Sequence, residues 1–178
     1  MPQLLIRFSQ RLSVLGAILA ALVIASMFAL ILYEIVLRSL FSSSTYILDE
    51  MVGYGVAAST FLGLGYALDR GSLIRVNLII AIIKDNKLRR LLEMACVLLV
   101  SVINILVLHG FWKSITRNIQ RGSVSETVAE IPLWIPESVL FVGLGIFTIQ
   151  IITYGLVILT NRPLIGETSK LPIQEQEG

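Results

Sequence analysis

LSVLGAILAALVIASMFALILY, from Leu12 to Tyr33, decides the fold. No charge interrupts it, and as a helix rising about 1.5 Å per residue it crosses a hydrocarbon core about 30 Å thick. Lipid offers the backbone no hydrogen-bond partner, so the run must be helical. Three further apolar runs of comparable length follow: MVGYGVAASTFLGLGYAL from Met51 to Leu68, MACVLLVSVINILVLHGFW from Met94 to Trp112, and SVLFVGLGIFTIQIITYGLVILT from Ser138 to Thr160. The expectation is an all-α integral membrane protein. One membrane domain covers residues 1–178, with four transmembrane helices at about 12–37, 48–68, 91–112 and 137–160. Residues 161–178 are read as a flexible cytoplasmic tail. The first run exceeds a secretory signal core of roughly 7–15 residues, and no clear A-x-A site ends it, so it is read as retained.

Composition agrees. Of 178 residues, 56% are hydrophobic and 15% charged, against about 25% charged in soluble domains. Such a chain cannot cover a globule with polar surface. A net charge of +2 gives no reason to expect a nucleic-acid partner. The single cysteine, Cys96, permits no intrachain disulfide. The single histidine, His109, excludes any site that needs two imidazoles from this chain, paired axial haem ligands included. H-E-x-x-H, G-x-S-x-G and P-loop patterns are absent from the sequence. No enzyme activity, catalytic residue, metal or cofactor is expected.

Basic residues set the orientation. Arg7, Arg11, Arg70, Arg75, Lys84, Lys87, Arg89, Arg90, Arg162 and Lys170 fall on one side, ten against the four of Arg38, Lys113, Arg117 and Arg121. The heavier side is read as cytoplasmic, which places both termini inside. Trp112 and Trp134 then share the outer interface, where amphipathic rings are favoured.

Between the second and third spans, GYALDRGSLIRVNLIIAIIKDNKLRR from Gly65 to Arg90 breaks the pattern. Its apolar core VNLIIAII is too short to cross a bilayer and has cationic flanks. It reads as an amphipathic interfacial helix on the inner leaflet, with basic side chains among lipid headgroups. Ser72 or Asn77 is the expected cap of that helix, and Asp85 or Asn86 that of the third span.

Two stripes of small residues mark candidate helix-packing faces: Gly55, Ser59, Gly63 and Ala67 on the second span, and Ser13, Ala17, Ala21, Ala25 and Ala29 on the first. Small residues let backbones approach, and helix association in lipid relies on that contact. The stripes pack the four helices together or face another protein. The third helix is expected from Leu88 to Gln120, about 50 Å, so it tilts or projects. At its end Lys113, Arg117 and Arg121 share a face, either as a solvated stripe or as a docking surface for an external acidic partner.

Ionisable groups gather at span ends. Glu34 precedes Arg38 by four residues, the favourable order for an ion pair, and Asp49 and Glu50 suit the N-terminus of the second helix. Glu93 lies near the inner end of the third. Ser101 and Asn104 are the intramembrane polar residues expected to bond another helix. No row of carboxylates marks a proton relay, and no Gly/Pro-broken helix pair marks a midplane transport site.

LDEMVGYGVAASTFLGLGYALDRGSLIRVNLI, Leu48 to Ile79, resembles the centre of the small membrane subunit (DctQ-like) of tripartite ATP-independent periplasmic (TRAP) transporters. The matching positions are Glu50 at the start of the second helix and the turn formed by Arg70, Gly71, Ile74, Arg75, Val76 and Asn77. IPLWIPES, Ile131 to Ser138, resembles the family's lead-in to the fourth helix, with Trp134, Pro136 and Glu137. Asn77 stands where the family usually has aspartate; an amide also caps a helix.

The resemblance implies a small permease subunit in a bacterial inner membrane, in a stable heterodimer with a large sodium-coupled subunit that moves as an elevator. It implies a transient encounter with a periplasmic substrate-binding protein, and secondary active uptake, by symport, of an organic acid such as a C4-dicarboxylate or sialic acid. The small subunit would brace the large one's static scaffold. The alternatives are the small subunit of a tripartite tricarboxylate transporter or an autonomous four-helix transporter, for which Glu34 would be the deep carboxylate.

Overall fold

The computed structural model describes residues 2–70 and 86–159. They form four helices: α1 (Pro2–Phe41), α2 (Leu48–Asp69), α3 (Asn86–Arg121) and α4 (Trp134–Leu159). Each contains a segment long and apolar enough to cross a membrane: Ile6–Phe41, Leu48–Asp69, Leu91–Arg121 and Trp134–Val157. The helices run up and down in turn. One end of the bundle, the loop end, therefore carries both described connections, 42–47 and 122–133. The other, the terminal end, carries the start of α1 and the end of α4.

The chain ends each helix by local means. The serine run after Phe41 stops α1, with Ser42 at φ 51°. At the end of α3 the N–H of Gly122 bonds the Ile119 carbonyl and that of Ser123 bonds the Asn118 carbonyl. Gly122 supplies the left-handed φ of 61° that this cap requires. The chain then makes a short hairpin, with Val124 bridged to Pro132 and the Ser125 N–H bonded to the Ile131 carbonyl at 2.9 Å. Pro136 sits in the first turn of α4, where its missing N–H costs no intrahelical bond.

α2 and α4 occupy the middle; α1 lies against both, and α3 packs on α4. The backbones meet around Leu62. A β-carbon on Gly16 of α1 would lie 2.7 Å from the Leu62 carbonyl oxygen, and one on Gly143 of α4 would lie 2.7 Å from the Phe61 backbone. Only glycine permits that approach. Ala20, Leu62 and Ile146 form the buried core there.

The two flanking helices each bury one narrow seam. On α1 it follows Ser9, Ser13, Gly16, Ala20, Val23, Met27, Leu30 and Glu34; on α3 it follows Val97, Ser101, Asn104, Leu108, Phe111, Ile115 and Asn118. Both alternate steps of three and four, the spacing of left-handed helix packing. Between Leu98 and Leu106 the remaining α3 surface is bulky and apolar, with Leu98, Leu99, Ile103, Ile105 and Leu106 exposed.

Candidate functional site

Side-chain chemistry concentrates in polar knots that join helices. At the loop end Glu34 is buried, only 2% exposed. One carboxylate oxygen accepts from Arg38 Nε at 2.9 Å and Ser44 Oγ at 2.5 Å; the other accepts from Thr45 Oγ1 at 2.6 Å and the Thr45 N–H at 3.3 Å. The expected ion pair to Arg38 is present. These bonds hold the connection in which Ser42 and Tyr46 take left-handed backbone angles, a local cost balanced by the surrounding contacts.

Glu50, in the first turn of α2, accepts from Tyr54 Oη at 2.8 Å and from Thr127 Oγ1 in the hairpin. Ser125 and Thr127 bond each other at 2.9 Å. Glu50 thereby ties α2 to the α3–α4 connection. Glu137, in the first turn of α4, accepts from Ser114 Oγ at 2.8 Å and from Asn118 Nδ2 at 3.0 Å to each oxygen. Each of these two carboxylates also sits where the helix dipole favours negative charge.

A fourth knot joins α1, α2 and α4 at the terminal end. Gln150 Nε2 donates to Asp69 at 2.9 Å, and Ser9 Oγ donates to Gln150 Oε1. Ser13 reaches the other Asp69 oxygen at 3.5 Å. Midway along the bundle Asn104 Nδ2 donates to Thr148 Oγ1 at 2.7 Å. Thr148 gives its own proton to the Leu144 carbonyl, which fixes the direction of the bond and leaves the buried Asn104 Oδ1 without a partner among the described residues. Ser101 departs from expectation: its hydroxyl bonds the Val97 carbonyl of its own helix, because a serine side chain is short enough to fold back one turn.

The small-residue stripes divide. Gly55 is buried against Met27 of α1, where a β-carbon would collide with the sulfur. Ser59 and Ala67 are half-buried. Gly63 faces open space, with nothing among the described residues within 4 Å of a β-carbon, as does Gly53. With the exposed Val56 and Thr60, these glycines make one open face of α2. On α1, Ala17 is half-buried, while Ala21 and Ala25 are exposed.

Trp134 is exposed and Pro136 half-buried. Arg70 closes α2, its guanidinium 5.3 Å from the Tyr66 ring centre. Gly71, Ile74, Arg75 and Asn77, the expected interfacial helix and the tail lie outside the described residues. Among the described residues no three metal-ligating side chains gather. His109 is exposed.

Sequence reasoning missed the terminal-end knot and the partners of Glu137. Gln150 carried a usable signal, since a lone amide inside an apolar span needs a partner from another helix. The pairing of Ser114 and Asn118 with Glu137 carried none, because it depends on how the α3–α4 connection folds back.

Comparison with protein-family models matches residues 27–158 to the DctQ component of tripartite ATP-independent periplasmic transporters. No curated protein and no solved structure matches the chain.

Proposed function

The chain belongs to the DctQ family, the small membrane component of tripartite ATP-independent periplasmic transporters, and from that premise we propose that it is a static brace for the large membrane subunit. This is a transporter-component family rather than an enzyme family, and it works with a large membrane subunit and a substrate-binding protein. With four membrane-crossing helices, the chain is a multi-pass membrane protein.

The observation that carries the proposal is the open face of α2. Gly53, Val56, Thr60 and Gly63 leave a shallow surface that nothing among the described residues fills. A small-residue surface is poor packing for flexible acyl chains and good packing for another helix backbone. In this reading the scaffold of the large subunit lies against it, in a stable heterodimer. The exposed Ala21 and Ala25 of α1 extend the surface available to that partner. Glu34, Glu50, Glu137 and Asp69 all serve bonds between elements, which suits a part that holds its shape while a neighbour moves.

The loop end faces the periplasm and both termini the cytoplasm, on the distribution of basic residues. Residues 71–85 supply an anchor on the inner leaflet, on the sequence pattern described above, and residues 161–178 a cytoplasmic tail. The family-motif positions Gly71, Ile74, Arg75 and Asn77 belong to that anchor. The membrane is the bacterial inner membrane. The large subunit couples sodium entry to uptake of an organic acid such as a C4-dicarboxylate or sialic acid, and the small subunit touches neither.

Co-expression and detergent purification at native expression levels test the assignment. A larger membrane protein is expected to co-purify in stable ratio. Recovery of this chain as a lone species would count against the brace.

A further inference from the structure

Contacts between the helices fix their heights against one another. Ser13 of α1 meets Asp69 of α2, and Met27 meets Gly55. Phe61 of α2 meets Gly143 of α4, and Asp69 meets Gln150. On α4, Gly155, Thr148, Phe141 and Glu137 meet Val97, Asn104, Trp112 and Ser114 of α3 in turn. Each series keeps one register, and the Phe61–Phe111 ring contact closes the circuit from α2 to α3 at the same height. Ser13 therefore stands level with about Val102 of α3, and Met27 with about Thr116.

That register staggers the apolar bands. On α1 the one charge between Arg11 and Arg38, Glu34, is buried, so the lipid-facing band is about 40 Å long. On α3 no charge lies between Glu93 and Lys113, about 30 Å apart. The middle of the α1 band, near Ala25, is level with Ser114, next to the cation that ends the α3 band. The two middles are about 16 Å apart along the bundle. An upright bundle centred on α1 would hold the exposed Lys113 at the bilayer midplane. One centred on α3 would hold the exposed Arg11 within about 5 Å of it. Lipid-exposed charge at that depth is strongly disfavoured.

α1 and α3 flank α4 on opposite sides. α1 meets Ile146 and Gln150, while α3 meets Phe141, Thr148 and Gly155, which point the other way at about 100° per residue. A stagger of about 16 Å across two helix spacings of about 9 Å each is a slope of about 40°. The length of α1 gives the same figure independently. About 40 Å of band fits a hydrocarbon core about 30 Å thick at a lean of about 40°. Exposed aromatic side chains follow the slope. From Trp112 on α3 to Trp134 on α4, and from there to Tyr46 beside Glu34 of α1, each step rises about 9 Å toward the loop end. An upright bundle would hold such interface anchors in one plane.

We infer that the chain sits obliquely in the bilayer, leaning about 40° from the membrane normal, so that hydrocarbon wraps a slanted belt from Arg11–Arg38 on α1 to Glu93–Lys113 on α3. The partner of that belt is lipid. The seat does not depend on the brace reading; where both hold, the helix packed along the open face of α2 leans with it.

Spin labels measure the lean in the assembled complex of both membrane subunits, in phosphatidylcholine nanodiscs, with Cys96→Ser in this chain and a cysteine-free large subunit. Depth is read from the ratio of collision rates with oxygen, which concentrates in hydrocarbon, and with a water-soluble nickel chelate. The first pair of sites is Ala29→Cys and Thr116→Cys, both exposed. Along the bundle Ala29 is about 3 Å nearer the loop end. The lean reverses that order: the Thr116 label is expected about 10 Å further toward the loop-side water. The second pair is Leu15→Cys and Leu98→Cys, also exposed. Leu98 is about 9 Å nearer the terminal end along the bundle, yet its label is expected no nearer the terminal-side surface than that of Leu15. A Thr116 label no further out than the Ala29 label overturns the inference, as does a Leu98 label about 9 Å nearer the terminal side. If no complex forms, the brace reading fails, and the same four labels on the chain alone decide the lean.

Discussion

α2 meets its surroundings in two opposite ways. On one face the fit is so close that β-carbons on Gly55, on Gly65 and on Gly143 across the contact would lie within about 3 Å of Met27, Ile146 and the Phe61 backbone. On the other, Gly53 and Gly63 have nothing among the described residues within 4 Å of a β-carbon. The residue type is the same; the reason for it is not. The first set is required by this chain's own packing. The second gives up about 1 kcal/mol of helix propensity per residue relative to alanine and gains no close packing among the described residues. The difference separates packing that builds the bundle from a surface kept shallow for a second protein.

That contrast fails if the two kinds of glycine respond alike. Gly143→Ala should have the largest effect, because its β-carbon meets backbone and two helices must separate. A loss of about 1–3 kcal/mol is expected, read as a lower melting temperature in detergent with or without the large subunit. Next comes Gly63→Leu. It should leave the melting of the isolated chain nearly unchanged but cut recovery of the complex about tenfold, or about 1.4 kcal/mol. Complex yield equal to wild type would move the interface off this face. Leu106→Phe on the bulky, exposed face of α3 is the matched control and should change neither measurement.

Glu34→Gln sharpens the contrast at the loop end. It removes a buried charge but keeps the shape, so a stability loss of about 1 kcal/mol is expected from weaker bonds to Arg38, Ser44 and Thr45. Uptake by complexes that still assemble should persist. If uptake vanished while complex yield held, the carboxylate would be part of transport and the brace reading would be wrong. The smallest effect is expected from Asn104→Leu. It deletes one bond to Thr148 and also the unpartnered oxygen, and interhelical bonds in membranes average about 0.6 kcal/mol. A melting shift worth more than about 1.5 kcal/mol would mean that Asn104 has a second partner in the assembled complex.

Much of the fold was legible in the sequence, because in lipid the backbone must satisfy itself and length becomes the dominant signal. All four spans follow from uncharged runs such as Leu12 to Tyr33. The Glu34–Arg38 pair follows from helical spacing, and a bond from Asn104 to another helix follows from an amide inside an apolar span; which helix it meets does not. The candidate site was less legible. Gly55 and Gly63 lie on one four-residue stripe, yet one is buried against Met27 and the other is open. A stripe read at i, i+4 drifts around a helix whose true seam alternates threes and fours, and nothing local records which helix comes to lie alongside. The Ser9–Gln150–Asp69 knot likewise joins residues far apart in the chain, and its pairing arises only when α1 and α4 are already adjacent.

The most direct test of the brace is solute uptake in proteoliposomes made with this chain alone, with the large subunit alone, and with both, each supplied with the substrate-binding component and a sodium gradient. The account predicts full uptake only when both membrane subunits are present, and none above empty vesicles for this chain alone. Uptake by this chain alone would contradict it.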